Sequence, residues 1–220
     1  MGVVGGSARR SILSLTHRSP VRPLSTVLII VGVGLTLFPL FWIVYTSSHI
    51  GPAQAAALAA WERTAGERAT PGLSAQRHAP AATQALVLTV PRLRLTRYVP
   101  EGASVDQLRQ FGVGRISWTA LPDRPGMVGI AGHRTTYGAP FFRLAKLERG
   151  DHILITYKGR RFDYTVTDRR VVGPAEVEVL RAIPGEHAVA LITCTPLYSA
   201  RHRLVILGRL HAVSSLSPTP

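Results

Sequence analysis

The chain has a single cysteine, Cys194, in 220 residues. That excludes an internal disulfide framework and any Cys-x-x-Cys zinc or redox pair. Acids are scarce as well: 12 Asp and Glu stand against 26 Lys and Arg, a formal net charge of +14. No acid occurs before Glu62, and the first aspartate is Asp106. Lysine is nearly missing, with only Lys146 and Lys158, so arginine carries the positive charge, a bias that reflects a GC-rich genome more than function. No run of basic residues is interleaved with stacking aromatics, which argues against nucleic acid as the partner. No internal repeat is visible, which excludes a solenoid or propeller.

One long apolar run is present. Residues 24–45, LSTVLIIVGVGLTLFPLFWIVY, carry no charge. About 22 residues suffice to cross a hydrocarbon core of about 30 Å. Trp42 and Tyr45 stand at its far end, where aromatic belts form, and Arg9, Arg10, Arg18 and Arg22 precede it. The positive-inside rule predicts a cytoplasmic N-terminus and an extracytoplasmic remainder, so a single-pass plasma-membrane protein. A cleaved signal peptide would have a shorter apolar region and a small-x-small cleavage site; the Ser47 to Ala53 region makes a poor one, and an uncleaved anchor is expected. A basic extracytoplasmic face suits anionic headgroups or wall polymers.

The expected organisation is a basic cytoplasmic segment (1–23), the anchor (24–45), a spacer (46–83), a β-rich domain (84–212) and a disordered tail (213–220). Within the spacer, AAALAAWERTAGER reads as a helix above the membrane. From Gln84 the texture changes to short apolar runs broken by Gly and Pro. LVLTV (86–90), MVGIAG (127–132), HILITY (152–157), RFDYTV (161–166), EVEVL (176–180), AVALITC (188–194) and RLVILGRL (203–210) read as strands, with a hairpin at Lys158-Gly159-Arg160. Ser104-Val105-Asp106-Gln107 matches a capping box, and FFRLAKL after Pro140 has helical spacing. The pattern predicts a mainly β protein, an eight-stranded barrel with two short helices behind one transmembrane helix.

Cys194 ends a predicted strand in Leu191-Ile192-Thr193-Cys194-Thr195-Pro196. Alone it reads either as a small buried hydrophobe or as a nucleophile. Acyl transfer by cysteine also needs a proton donor and a group for the oxyanion. Of eight histidines, His133 stands out, because a buried-strand pattern runs into a glycine-flanked loop there. A surface loop histidine is the alternative reading. Arg201 and Arg203 sit two apart, on one face of a predicted strand, and read either as a solvated basic edge or as a guanidinium clamp.

These residues together resemble a sortase, the membrane-anchored transpeptidases of Gram-positive surfaces. The resemblance covers roughly residues 84–210. It rests on Gly129-Ile130-Ala131-Gly132-His133-Arg134, on Phe142-Arg143-Leu144 through Leu147-Glu148-Arg149-Gly150-Asp151, and on Thr193-Cys194-Thr195-Pro196 followed by Arg203-Leu204. It implies the closed eight-stranded sortase barrel. It implies Cys194 as nucleophile, His133 as general acid/base and Arg203 as oxyanion and substrate clamp, with Tyr98 and Thr193 binding substrate. The implied reaction cleaves an LPxTG- or LAxTG-type sorting signal between Thr and Gly. A thioacyl intermediate then passes to an amine of a peptidoglycan precursor of lipid II type.

The run His133 to Pro140 resembles class E members from high-GC actinobacteria, and Thr193 to Pro196 with His202-Arg203-Leu204 also resembles the pilus-building class C. Class C members carry an aspartate-containing lid before the barrel and a second membrane span. No aspartate precedes Asp106 and no second apolar run of that length follows Tyr45, so class E is favoured. Some class A members bind calcium through an acidic cluster; with acids so sparse, neither a metal nor another cofactor is expected. A non-catalytic wall-binding module is the remaining alternative. An L,D-transpeptidase lacks support, because Ile-Thr precedes Cys194 where that class has Ser-His-Gly.

Overall fold

The computed structural model describes residues 2, 21–48, 50–67, 85–181 and 185–216. Arg9, Arg10 and Arg18 of the topology argument lie outside the described residues, as do spacer residues 68–84. The chain divides into two compact units, Met1–Leu40 and Phe41–Pro220.

Helix α1 (Val21–Ser48) begins in the first unit. Its side chains from Leu24 to Tyr45 are exposed all round, which no water-facing helix of this composition would tolerate. It is the one helix among the described residues long and apolar enough to cross a membrane. Thr36 donates its hydroxyl back to Gly32 and Val33 carbonyls, so its polar group is satisfied within the helix.

In the second unit, helix α2 (Ile50–Glu67) occupies much of the expected spacer. The helix expected within it starts earlier, at Ile50. Ile50, Gln54, Ala57, Leu58 and Trp61 turn one face inward at helical spacing, and Ile50 and Gln54 are buried. Pro52 falls in the first turn, where its missing N–H costs nothing.

The sheet contains β1 (Leu86–Val90), β2 (Leu95–Val99), β3 (Val113–Arg115), β4 (Gly126–Gly132), β5 (His152–Tyr157), β6 (Arg160–Val172), β7 (His187–Thr195) and β8 (His202–Ser215). Helix α3 (Val105–Phe111) lies between β2 and β3, started by the expected capping box of Ser104 and Gln107. The strand order is β2-β1-β5-β6-β8-β7-β4-β3. All neighbours are antiparallel except β4 and β7, which run parallel. The β5–β6 hairpin turns on Lys158 and Gly159, both at positive φ (47° and 72°), the geometry of a tight two-residue turn.

The barrel is nearly closed rather than closed. Edge strands β2 and β3 share no ladder; a single parallel bridge joins Glu101, past β2, to Arg115 of β3. Arg115 donates Nε and Nη2 to the two Glu101 carboxylate oxygens, each at 2.6 Å, and its backbone N–H reaches the Pro100 carbonyl at 2.9 Å. Arg115 is only 3% exposed, and its Nη1 reaches carbonyls of the following loop, so the buried charge is both paired and hydrogen-bonded.

Three other expectations are corrected. Residues 176–180 contain a 3-10 turn (Val177–Leu180), not a strand. Its Val-Glu-Val alternation suits a sheet face, but it lies in the crossover between β6 and β7 and pairs with no strand among the described residues. FFRLAKL forms turns and a 3-10 segment (Leu144–Lys146) in place of an α-helix. Phe141, Leu144 and Leu147 are buried at a spacing of three, which matches three residues per turn. Finally, β8 runs into the expected tail: Val213, Ser214 and Ser215 pair with Phe162, Arg161 and Arg160, because β6 is long enough to offer them an edge.

Side-chain parity divides the sheet into two faces. Val128 and Ile130 of β4, Val189 and Leu191 of β7, and Leu204 and Ile206 of β8 point into the barrel core. Met127, Ala190 and Val205 point outward and form a second apolar cluster with Leu180. Each fully buried Leu or Ile contributes about 1.5–3 kcal/mol, so the inner face holds the fold together and leaves the outer face free for chemistry.

Candidate active site

Cys194 is the penultimate residue of β7, a half-buried free thiol. By parity with Ala190 it lies on the outer face. Directly opposite, across the antiparallel β7–β8 ladder, stands Arg203. Residues so paired have Cβ atoms about 4.5–5.5 Å apart, on the same face. Arg203 therefore borders the thiol on the sheet's outer surface. Its Nη1 donates to the carbonyls of Ala200 (2.9 Å) and His202 (3.2 Å), which steadies the guanidinium. Arg201 lies outside β8, exposed, with its backbone N–H on the Ser199 hydroxyl. The shared strand face expected of the two arginines is corrected.

His133 comes from the neighbouring parallel strand. The last β4–β7 pair is Ala131 with Ile192 and β4 ends at Gly132; carrying that register two residues past the ladder sets His133 level with Cys194. Its backbone is fixed at both ends: its N–H donates to Gly112 (2.9 Å) and its carbonyl accepts from Phe141 (3.0 Å). Gly132 makes this return possible. A Cβ there would sit 2.6 Å from the Phe141 ring and 2.9 Å from Val113, so any larger residue would evict the loop. The loop then passes through positive φ at Tyr137, Gly138 and Ala139, an uncommon run for side-chain-bearing residues.

The imidazole is half-buried beside the Tyr137 ring, with centroids 4.8 Å apart. Nδ1 lies 3.3 Å from the Thr136 hydroxyl. Nε2 is buried and has no partner among the described residues, so it is the nitrogen left for chemistry. Burial pushes the His133 pKa below its ordinary 6.5, and the positive charge of Arg109 on α3 pushes it the same way.

Thr193 is 2% exposed and points into the barrel, where its hydroxyl donates to the Gly132 carbonyl at 2.8 Å. It ties β7 to the end of β4. Tyr98 lies half-buried on β2, its ring 5.9 Å from Phe111. Burial raises its pKa. Its backbone N–H and carbonyl are both bound by the Gln54 amide, and nothing among its hydrogen bonds joins it to Cys194, His133 or Arg203.

Arg134 is the residue that sequence reasoning passed over except as a motif letter. Its Nη1 donates to the Cys194 carbonyl (3.1 Å) and to the Thr195 hydroxyl (2.7 Å). It thus ties the residue after His133 to the Cys194 peptide. Only the parallel pairing of β4 with β7 brings them together. A groove of 450 Å³ also opens on the outer face, lined by Met127, Ala188, Leu207 and Arg209. It lies six residues along β7 from Cys194, about 20 Å away, and is not the thiol site.

A nearly closed barrel with a thiol, an arginine and an imidazole on one outer face is the architecture of cysteine acyl-transfer enzymes of one kind. The sequence profile described as Sortase domain matches residues 88–211, and the chain belongs to the sortase family. It is 32% identical over 138 residues to Sortase SrtE1 of Streptomyces coelicolor, covering 56% of this chain and 39% of that protein. Against Sortase SrtE2 of the same organism the identity is 36% over 96 residues, with 40% and 38% covered. The match thus spans about two-fifths of the length of these curated relatives. Among solved structures, Sortase E1 from Streptomyces coelicolor with a tripeptide in its active site superposes with a TM-score of 0.58 at 30% identity, over 64% of this chain and 98% of that one. Sortase C-1 from Actinomyces oris gives 0.56 at 29% identity, over 62% and 76%. The class E resemblance read from the His133 loop agrees with these relatives.

Proposed function

We propose that the protein is a membrane-anchored cysteine transpeptidase that cleaves a sorting signal of LPxTG or LAxTG type between Thr and Gly. The observation that carries this reading is the cross-strand pairing of Cys194 with Arg203 on the face where His133 stands level with the thiol. The Cys194 thiolate attacks the Thr carbonyl carbon, and the negative charge formed on oxygen is met by the Arg203 fork. As the C–N bond breaks, His133 gives its Nε2 proton to the departing glycine amine. A thioester to Cys194 remains. An acceptor amine then attacks the thioester carbon, His133 takes a proton from that amine, the C–S bond breaks, and the new amide leaves with the thiolate and protonated imidazole restored. The acceptor proposed is the free amine of a lipid II type wall precursor. Arg134 and Thr193 act on the backbone: one holds the Cys194 peptide, the other the end of β4. No chemical step is proposed for Tyr98.

Helix α1 supplies the anchor, with the Arg-rich N-terminus in the cytoplasm and the barrel outside. The tripeptide held by the Streptomyces coelicolor relative supports a peptide substrate. Likeness to the Actinomyces oris class C structure favours a second reading, polymerisation of a pilin, which the product would reveal as a ladder of linked subunits.

The test uses the full-length protein in detergent with both peptides and an amine acceptor, followed by mass spectrometry. Transfer product is expected from the wild type and none from Cys194→Ala, with melting temperatures within a few degrees because one small residue replaces another. Turnover by Cys194→Ala above a tenth of wild type would sink covalent catalysis.

A further inference from the structure

Helix α2 reaches the loop that carries His133 in two ways, directly through Ile50 and by way of the Phe111–Gly112 peptide through Gln54, two residues that nothing in the chemistry uses. Gln54 is 5% exposed and Ile50 3%, although both belong to a segment that reads as an Ala-rich spacer. The Gln54 side-chain amide acts as an extra peptide unit on the open edge of β2: Oε1 accepts the Tyr98 N–H at 2.9 Å, and Nε2 donates to the Tyr98 carbonyl at 2.9 Å. The same Nε2 donates to the Phe111 carbonyl at 2.7 Å. The next carbonyl along, that of Gly112, receives the His133 N–H. Gln54 and His133 therefore hang on consecutive peptides.

Ile50 meets the other end of the loop. A Cβ on Gly138 would lie 3.3 Å from Ile50 Cγ2, so the loop backbone runs directly against it, at a φ of +72°. Gly112 closes the frame, since a Cβ there would stand 2.9 Å from the Tyr137 carbonyl oxygen. The loop from His133 to Phe141 is thus held from outside at Gly112, whose preceding peptide Gln54 binds, and at Gly138, where Ile50 packs. The loop's run of positive φ gives it little stability of its own, so outside support has something to do.

We propose that α2 is a working part of the active site, with Gln54 and Ile50 as positioning residues that hold the His133 loop in its productive place. Since α2 starts two residues after α1 ends, the segment next to the membrane helix and the general acid/base form one mechanical unit. The inference rests on the functional reading above.

The test uses full-length protein in detergent, with Gln54→Leu, Ile50→Ala and the exposed control Glu62→Gln. Amide hydrogen exchange of residues 133–142 reads the coupling without any activity. It is expected to quicken at least tenfold in both Gln54→Leu and Ile50→Ala and to stay unchanged in Glu62→Gln. Peptide cleavage should then lose at least tenfold in kcat while KM stays within twofold, because β7 and β8 are untouched. A general loosening of the barrel would move KM as well. Wild-type loop exchange in the two variants, or a rise in KM with kcat intact, overturns the proposal. If Gln54→Leu does not fold, Ile50→Ala decides, as it removes no hydrogen bond. Should the wild type cleave no peptide, the functional reading falls, and loop exchange still decides whether α2 holds the loop.

Discussion

At the scale of single residues, the site depends on which atoms are already engaged. Arg203 faces the thiol in register, whereas Arg201 stands in the loop before β8. Removing an oxyanion donor costs about 10²–10³ in rate. Arg203→Ala should lose at least that in peptide cleavage, and Arg203→Lys should recover little, since lysine keeps the charge without the planar fork. Arg201→Ala should cost less than about tenfold, as a group that adds only to the surface field; the reverse ranking would move the clamp to Arg201. His133 gives a second expectation. Burial and then Arg109 lower its pKa, so neutral imidazole dominates at pH 7 and the protonated acid is the minor form. An NMR titration should place its midpoint below 6.5, and Arg109→Gln should move it upward by removing the nearby charge. The unfolded chain binds that proton more readily, so this group's contribution to stability falls as pH drops from 6.5 toward the lower folded value. A midpoint that Arg109→Gln leaves in place would remove Arg109 from the account.

At the scale of elements, the weak point is the seam between β2 and β3. These edges lack a ladder, and the ion pair of buried Arg115 with half-buried Glu101 spans the gap. Breaking a buried pair on one side leaves the other charge uncompensated, at roughly 3 kcal/mol or more. Glu101→Gln should therefore lower the melting temperature by about 6–12 °C. A drop of under about 2 °C would mean that the loop carbonyls alone satisfy Arg115. The pair had no sequence signature: Glu101 and Arg115 fall in segments with no clear period, and β2 and β3 are too short to show one. The capping box at Ser104 and the Lys158-Gly159 turn were legible because their geometry is set within four residues. EVEVL and FFRLAKL misled for the converse reason, since each local period had a tertiary competitor.

For the whole molecule, an apolar helix exposed on every side and a basic domain point to attachment at a membrane. The arginines ahead of α1 set the expected orientation. Protease added to intact protoplasts should digest the domain after Tyr45 and leave the N-terminal segment protected. Full-length protein surviving that treatment would invert the topology.

The sequence by itself determined the face on which each strand residue lies, because side chains alternate with period two whatever the partner strand. It also supplied the thiol, the glycine-flanked histidine and the trailing arginine, with an apolar run long enough to span a bilayer. Only the tertiary structure decided which strands are neighbours. Backbone hydrogen-bonding groups are chemically alike, so no local pattern states that β4 lies parallel to β7. That choice brings the end of β4 alongside the end of β7, turns Arg134 onto the Cys194 carbonyl, and lets the Thr193 hydroxyl reach the Gly132 carbonyl. The docking of Gln54 on Tyr98 and Phe111 was equally out of reach. A glutamine in an Ala-rich helix declares a helix, but its partners lie 44 and 57 residues away, where only folding can bring them.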